Sequence, residues 1–424
     1  MRKSSRALVA VSFLAFIAGC SSDYSGFINT PGGGGGGGGI PGALSESVLI
    51  RTLEPAANLT DLSINGAGTI AVYASNENPL GSNPAGIAQI YSVSSTNPTP
   101  VQITTDTGNG FLAVTDFDID DSGTLVVFPS SQDLTGNNPT HATNIFLAAT
   151  DGSSVTQVTA ITSGVATNPR VSGDGSTIIF ASQNDLTGGN PLNTSQIFSI
   201  GADGSNLAQV TMGSTSATQL AFANNGTRIV WQGRSDPFGT NADGSLEIFA
   251  INVDGTNHMQ LTMSGGNSTM PRISDDGAFV IFRSAGEFTP GSNPDAQSEV
   301  YVVRGDGTGL VRITNQTDQP SGDDYNGAPG IDISGNGQWV VFGSWSDILG
   351  INPDHTYTIY WARADGTEIQ QLLRTETKPA GVASRLATFP LITNDGGKIF
   401  FEGLAQYSTG APAAGHKIYS HTRE

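Results

Sequence analysis

Five carboxylates recur at matching places in polar loops spread along the chain: Asp133, Asp185, Asp236, Glu287 and Asp347. The surroundings recur as well, since residues 131–139 read SQDLTGNNP and related versions stand at 182–191 and, more loosely, at 344–353. Carboxylates and asparagine amides so spaced offer oxygens to the hydroxyls of a polymer, or to calcium, which takes roughly six to eight hard ligands. The same residues also cap turns, and Asn-Pro stiffens a loop. Capping is the better fit, because no loop has the dense alternating acids of a dedicated calcium site. A second set forms the candidate binding face: Asp323, Asp324 and Tyr325 in one long connection, Lys378 and Arg385 in the next, and Trp345, Asp347 and Tyr357 between them. Acids and aromatics on adjacent loops could stack on sugar rings or hold a peptide, although a plain insertion also explains the extra length. No catalytic residue is assigned: the chain has no G-x-S-x-G, no H-E-x-x-H, five scattered histidines and one cysteine.

That cysteine has a context of its own. Arg2, Lys3 and Arg6 precede the apolar run Ala7–Ile17, which is too short to cross a bilayer, since spanning takes about 20 apolar residues. Ile17-Ala18-Gly19-Cys20 resembles the lipobox of bacterial lipoproteins, and the resemblance implies cleavage before Cys20 and lipid attachment to it. Two or more acyl chains attach a protein stably to a membrane where one does not. Ser21, rather than an aspartate, favours the outer membrane by the same resemblance, on its periplasmic side or at the cell surface. Residues 1–19 are thus expected to be a signal peptide, and 20–44, with eight glycines at 32–39, a flexible tether.

What could position the loop residues is a repeat. Gly68, Gly123, Gly175, Gly226, Gly277, Gly337 and Gly396 each stand five residues before an aromatic: Tyr73, Phe128, Phe180, Trp231, Phe282, Phe342 and Phe401. An aliphatic–aromatic pair follows in every copy, from Ile90-Tyr91 to Ile418-Tyr419. The glycine turn suits a tight hairpin, and the β-branched and aromatic runs suit a buried sheet. A second turn, as at Asp203-Gly204, leads to a fourth run such as that ending Val210-Thr211. Each copy reads as one four-stranded antiparallel blade, and 45–424 as an all-β, seven-bladed propeller. The seventh copy lacks its fourth strand while Ser47–Leu53 is an apolar run without a partner, so the N-terminal strand is expected to close the ring by pairing with the last blade. The two tight turns of each blade would share one face, and the long loops the other.

The segments VSGDGSTIIFAS and IFSIGADGSNLAQVT resemble the repeats of TolB-type β-propellers. The likeness covers Ser47 to Glu424. It departs from TolB itself in having no separate N-terminal α/β domain and in its lipid anchor, so TolB's partners are not carried over. Net charge is −19, and the leader holds three cations and no acid, giving −22 from Cys20 onward. Such a balance opposes nucleic acid and anionic lipid heads. The expected function is a monomeric, lipid-anchored, non-catalytic scaffold, with no cofactor unless calcium, that binds a protein partner or a glycan on its long-loop face. The alternative is a polysaccharide lyase or hydrolase built from carboxylates at the channel mouth. Convergent His, Arg or Lys there would favour that alternative.

Overall fold

The computed structural model describes residues 47–54, 57–105, 116–213, 216–316, 330–353, 355, 357–372, 387–403 and 416–423. Seven four-stranded antiparallel sheets account for their regular structure. The third blade shows the plan: β10 (Ala166–Val171), β11 (Thr177–Ser182), β12 (Gln196–Gly201) and β13 (Ala208–Gln209) pair in chain order. The turn glycine before each second strand has positive φ in all seven copies, from +63° at Gly68 to +76° at Gly123, the conformation for which glycine lacks the Cβ penalty.

The two aromatic columns of the repeat turn out to be cross-strand partners. Phe180 lies opposite Phe198 in the β11–β12 register, with ring centroids 5.7 Å apart and planes 20° from parallel. Every blade repeats this stack, from Tyr73–Tyr91 at 5.5 Å to Phe401–Tyr419 at 5.4 Å. A pair of this kind contributes ~0.5–1.5 kcal/mol beyond the burial of its area. Apolar clusters fill the spaces between blades, as where Val127 and Ile145 of the second blade meet Ile178 and Phe180 of the third.

The innermost strands are β2 (Leu59–Ile64), β6 (Asp118–Ile119), β10, β14 (Thr218–Phe222), β18 (Ser268–Ile273), β22 (Ile331–Ile333) and β26 (Ala387–Ile392). Each packs against the next and β26 packs against β2, so the seven form a closed ring around an axis. Closure comes from β1 (Val48–Thr52), which pairs antiparallel with β28 (Lys417–Thr422) as the fourth strand of the last blade. The joint is further tied to the first blade. Arg51 of β1 donates to the Tyr73 hydroxyl (3.1 Å) and forms a 2.9 Å ion pair with the buried Glu77.

Candidate functional site: the axial channel

The long loops use their polar groups on themselves. Asp133 Oδ1 accepts the amide of Asn138 (2.7 Å), Asp185 that of Asn190 (2.9 Å), Asp236 that of Asn241 (2.8 Å) and Asp347 that of Asn352 (2.6 Å). The asparagine amide in turn donates to backbone carbonyls at the loop's two ends, as Asn138 does to Gln132 and Ala142. The repeated D-x-x-x-x-N spacing is therefore an internal loop brace. Trp345 and Tyr357 are brought together, with ring centroids 5.3 Å apart in an edge-on arrangement. They are 7 % and 1 % exposed, so they pack on each other and are buried; of the two readings, stacking platform and plain insertion, open stacking on these two rings finds no exposed ring face, since two large rings lose more water-exposed area by mutual burial. Asp323, Asp324, Tyr325, Lys378 and Arg385 lie outside the described residues, as do Cys20 and the tether.

A different set of side chains converges on the axis, where the innermost strands enclose a cavity of about 440 Å³. Its residues fall into levels, because matching positions of seven homologous strands lie at one height. At the middle level stand Ser63, Asp118, Arg170, Ala221, Arg272, Asp332 and Leu391, and toward the long-loop end Asp61, Asp116, Asn168 and Gln219. In β10, β14, β18 and β26 a bulge precedes the middle level, with Asn168, Gln219, Met270 and Phe389 at φ of 52–56°. Bulges of this type redirect side chains, here next to Arg170 and Arg272. Successive blades are linked at this height: Asp116 accepts the amide of Asn168 (2.6 Å), and Asn168 Oδ1 that of Gln219 (2.9 Å).

The arginines are held differently. Arg170 pairs with Asp116 at 3.1 Å; burial opposes its charge, but Asp116 and Asp118 outweigh burial and keep its pKa above the usual value. Arg272 donates to the Pro271 carbonyl (3.0 Å), and among the described residues no carboxylate comes within ion-pair distance of it. Burial, with the nearby Arg170 charge, pulls its pKa down. Burial raises the carboxyl of Asp61 to about 7, against the amide of Leu62 that it accepts (2.9 Å), and that of Asp332 to about 6, against the amide of Ile392 (3.0 Å). Asp118 accepts the amide of Val171 (3.0 Å) and is also shifted upward by burial.

The tight-turn end of the channel is narrowed by a ring of turn residues. Asn224 donates to Asp121 (2.7 Å) and to Asp275 (2.9 Å), and Asn394 donates to Asp121 from the far side (3.1 Å). Backbone bonds run from blade to blade below them, including Asp121 to Gly173 (3.0 Å), Asp275 to Gly335 (3.0 Å) and Asn394 to Gly66 (2.8 Å). Glycines 66, 173 and 335 make the room, for a Cβ at Gly335 would overlap the Asp275 carboxylate. Burial, then the charges of Asp121 and Asp332, push Asp275 up to about 7.

The sequence reading named carboxylates at the channel mouth only as a class and did not identify the residues of this channel. Its signal was a column of dissimilar residues two places before each turn, Asp118, Arg170, Arg272 and Asp332 among them, visible only with the copies aligned by turn glycine.

Fold and channel together define a seven-bladed β-propeller with a charged axial cavity. No family model matches the chain, and no curated protein matches its sequence. Solved structures do match in fold. An oligogalacturonate lyase in complex with manganese is 10 % identical, with a TM-score of 0.55 and 90 % of each chain covered. The β-propeller domain of the trilobed protease from Pyrococcus furiosus is 12 % identical, with a TM-score of 0.53, covering 87 % of this chain and 94 % of that one. A putative TolB from Agrobacterium tumefaciens is 14 % identical, with a TM-score of 0.42, covering 90 % and 100 %. Among the described residues no helix is long and apolar enough to cross a membrane, and no group of three or more His, Cys, Asp or Glu is arranged to hold a metal ion.

Proposed function

We propose that the chain is a cell-envelope binding propeller, anchored by lipid at Cys20, that holds a protein partner or an envelope polymer at the long-loop end of its channel without transforming it. One observation carries the reading: the loop carboxylates are engaged within their own loops, whereas the Asp and Arg side chains of the cavity face a space sized for a ligand group. In-cell photo-cross-linking tests it. A cross-linking residue at Leu192, 83 % exposed on a long loop, should capture a partner or glycan, and one at Ser153, on a tight turn, should not. Equal capture from both faces, or none from Leu192, refutes the assignment. The anchor is tested separately: palmitate should label the wild type and not Cys20→Ala.

A second reading has its own support. Asp61, with a carboxyl near neutrality, shares the cavity with Arg170 and Arg272, and a proton acceptor beside cations is what elimination from an acidic sugar requires. The charge balance argues against it, since six cavity carboxylates (Asp61, Asp116, Asp118, Asp121, Asp275 and Asp332) face two arginines and would repel a polyuronate. Release of unsaturated products from oligogalacturonate, with or without manganese, that is lost in Asp61→Asn would establish the lyase instead.

A further inference from the structure

The cavity is polar in a directional way. Arg272 projects from the fifth blade, and in a ring of seven the fifth blade faces the first and second across the axis, which carry Asp61 and Asp118. Arg170, the other cation, is already held by Asp116. Arg272 has only the Pro271 carbonyl among the described residues, so most of the five N–H donors of its guanidinium are left for something else. A guanidinium in a confined space favours a planar, two-oxygen acceptor, and a carboxylate satisfies it by paired hydrogen bonds. On the opposite wall Asp61 and Asp118 each accept backbone amides, but a carboxylate has about four lone-pair sites, so each can still accept from a ligand. A dianion would meet Arg272 favourably and be repelled by the far wall; a dication would meet the reverse.

We infer that the channel binds a small zwitterion of about dipeptide size, its carboxylate on Arg272 and its ammonium toward Asp61 and Asp118. The inference rests on the binding reading above and names the chemistry of the ligand group that enters the channel. It would apply to a free molecule, or to a terminal residue of a larger one only where that residue carries both charges.

Isothermal titration calorimetry of the full chain with Ala-Ala tests it, beside N-acetyl-Ala-Ala and Ala-Ala amide. Ala-Ala should bind, and blocking either end should weaken binding about tenfold to a hundredfold, the usual effect of losing a hydrogen bond to a charged group. Arg272→Gln should weaken Ala-Ala by a similar factor and leave the amide unaffected, whereas Asp61→Asn should weaken the amide and leave N-acetyl-Ala-Ala unaffected. If Arg272→Gln does not fold, the blocked ligands on the wild type and Asp61→Asn still decide. Failure of Ala-Ala to bind the wild type, or equal affinity for the blocked forms, overturns the inference. Cross-linking from Leu192 that still captured a partner would then show that the binding reading survives without it.

Discussion

Asp275 illustrates how one residue can serve both the ring and its response to pH. Its carboxylate accepts from Asn224 and fills the space left by Gly335, yet it is half-buried and near Asp121, Asp332 and Asp276, all of which disfavour its charge. Asp61 is shifted the same way, by burial and by Asp116, against Arg170 and Arg272. A carboxyl whose pKa is higher in the fold than in the unfolded chain binds its proton more tightly when folded. Its contribution therefore weakens as pH rises through the interval between the two values. For these groups that interval runs from the ordinary 3.8 to about 7. Turn aspartates such as Asp174 and Asp203 are shifted downward by serine hydrogen bonds and titrate below this window. The melting temperature should fall from about pH 4 to about pH 7, with a shallower fall in Asp275→Asn. A melting temperature that climbed over this range would contradict the placement of these carboxyls.

At the scale of the strand, the parts that repeat were legible and the parts that differ were not. The turn glycine and the two aromatic columns recur in all seven copies because every blade must turn and must fill its interior, and those demands are the same around the ring. Their direct stacking follows once the register is known. Phe180→Ala should lower the unfolding free energy by ~3–5 kcal/mol, judged by urea titration, while Leu192→Ala, 83 % exposed on a long loop, should change it by under about 0.5 kcal/mol. Similar losses for both would mean that the stacked columns do not form the core. The innermost strands obey no shared demand, since each contributes a different side chain to one cavity: Asp118 in one blade, Arg170 in the next, Ala221 in the one after. Periodicity within a single copy cannot show that these converge. The bulges at Asn168, Gln219, Met270 and Phe389 were hidden for another reason: only asparagine among them readily adopts left-handed backbone, so residue type gave no warning at the other three.

For the whole ring, the fourth strand missing from the last copy and the unpaired run at the start had one joint explanation, and β1 supplies it with Ile50 and Leu53 buried and Arg51 reaching to the first blade. Deleting residues 45–53 removes about 3–6 kcal/mol of apolar burial from these two side chains alone and leaves β28 with an open edge. A sharply lower and broader melt is expected, and an unchanged one would show that the seam does not hold the ring. The loop braces were legible as spacing, and their carboxylates cap turns of their own loops. Trp345 and Tyr357 show the opposite case: aromatics in a loop looked available, and burial took them.

The seam also has a history in time. The side chains of Ser47 and His421 meet across 374 positions, so during synthesis β1 waits for β28. Until then a partly made chain carries two unpaired sheet edges, at β1 and at its newest strand, each a template for pairing with another copy. Chaperone protection should therefore matter most for this protein until β28 has been released.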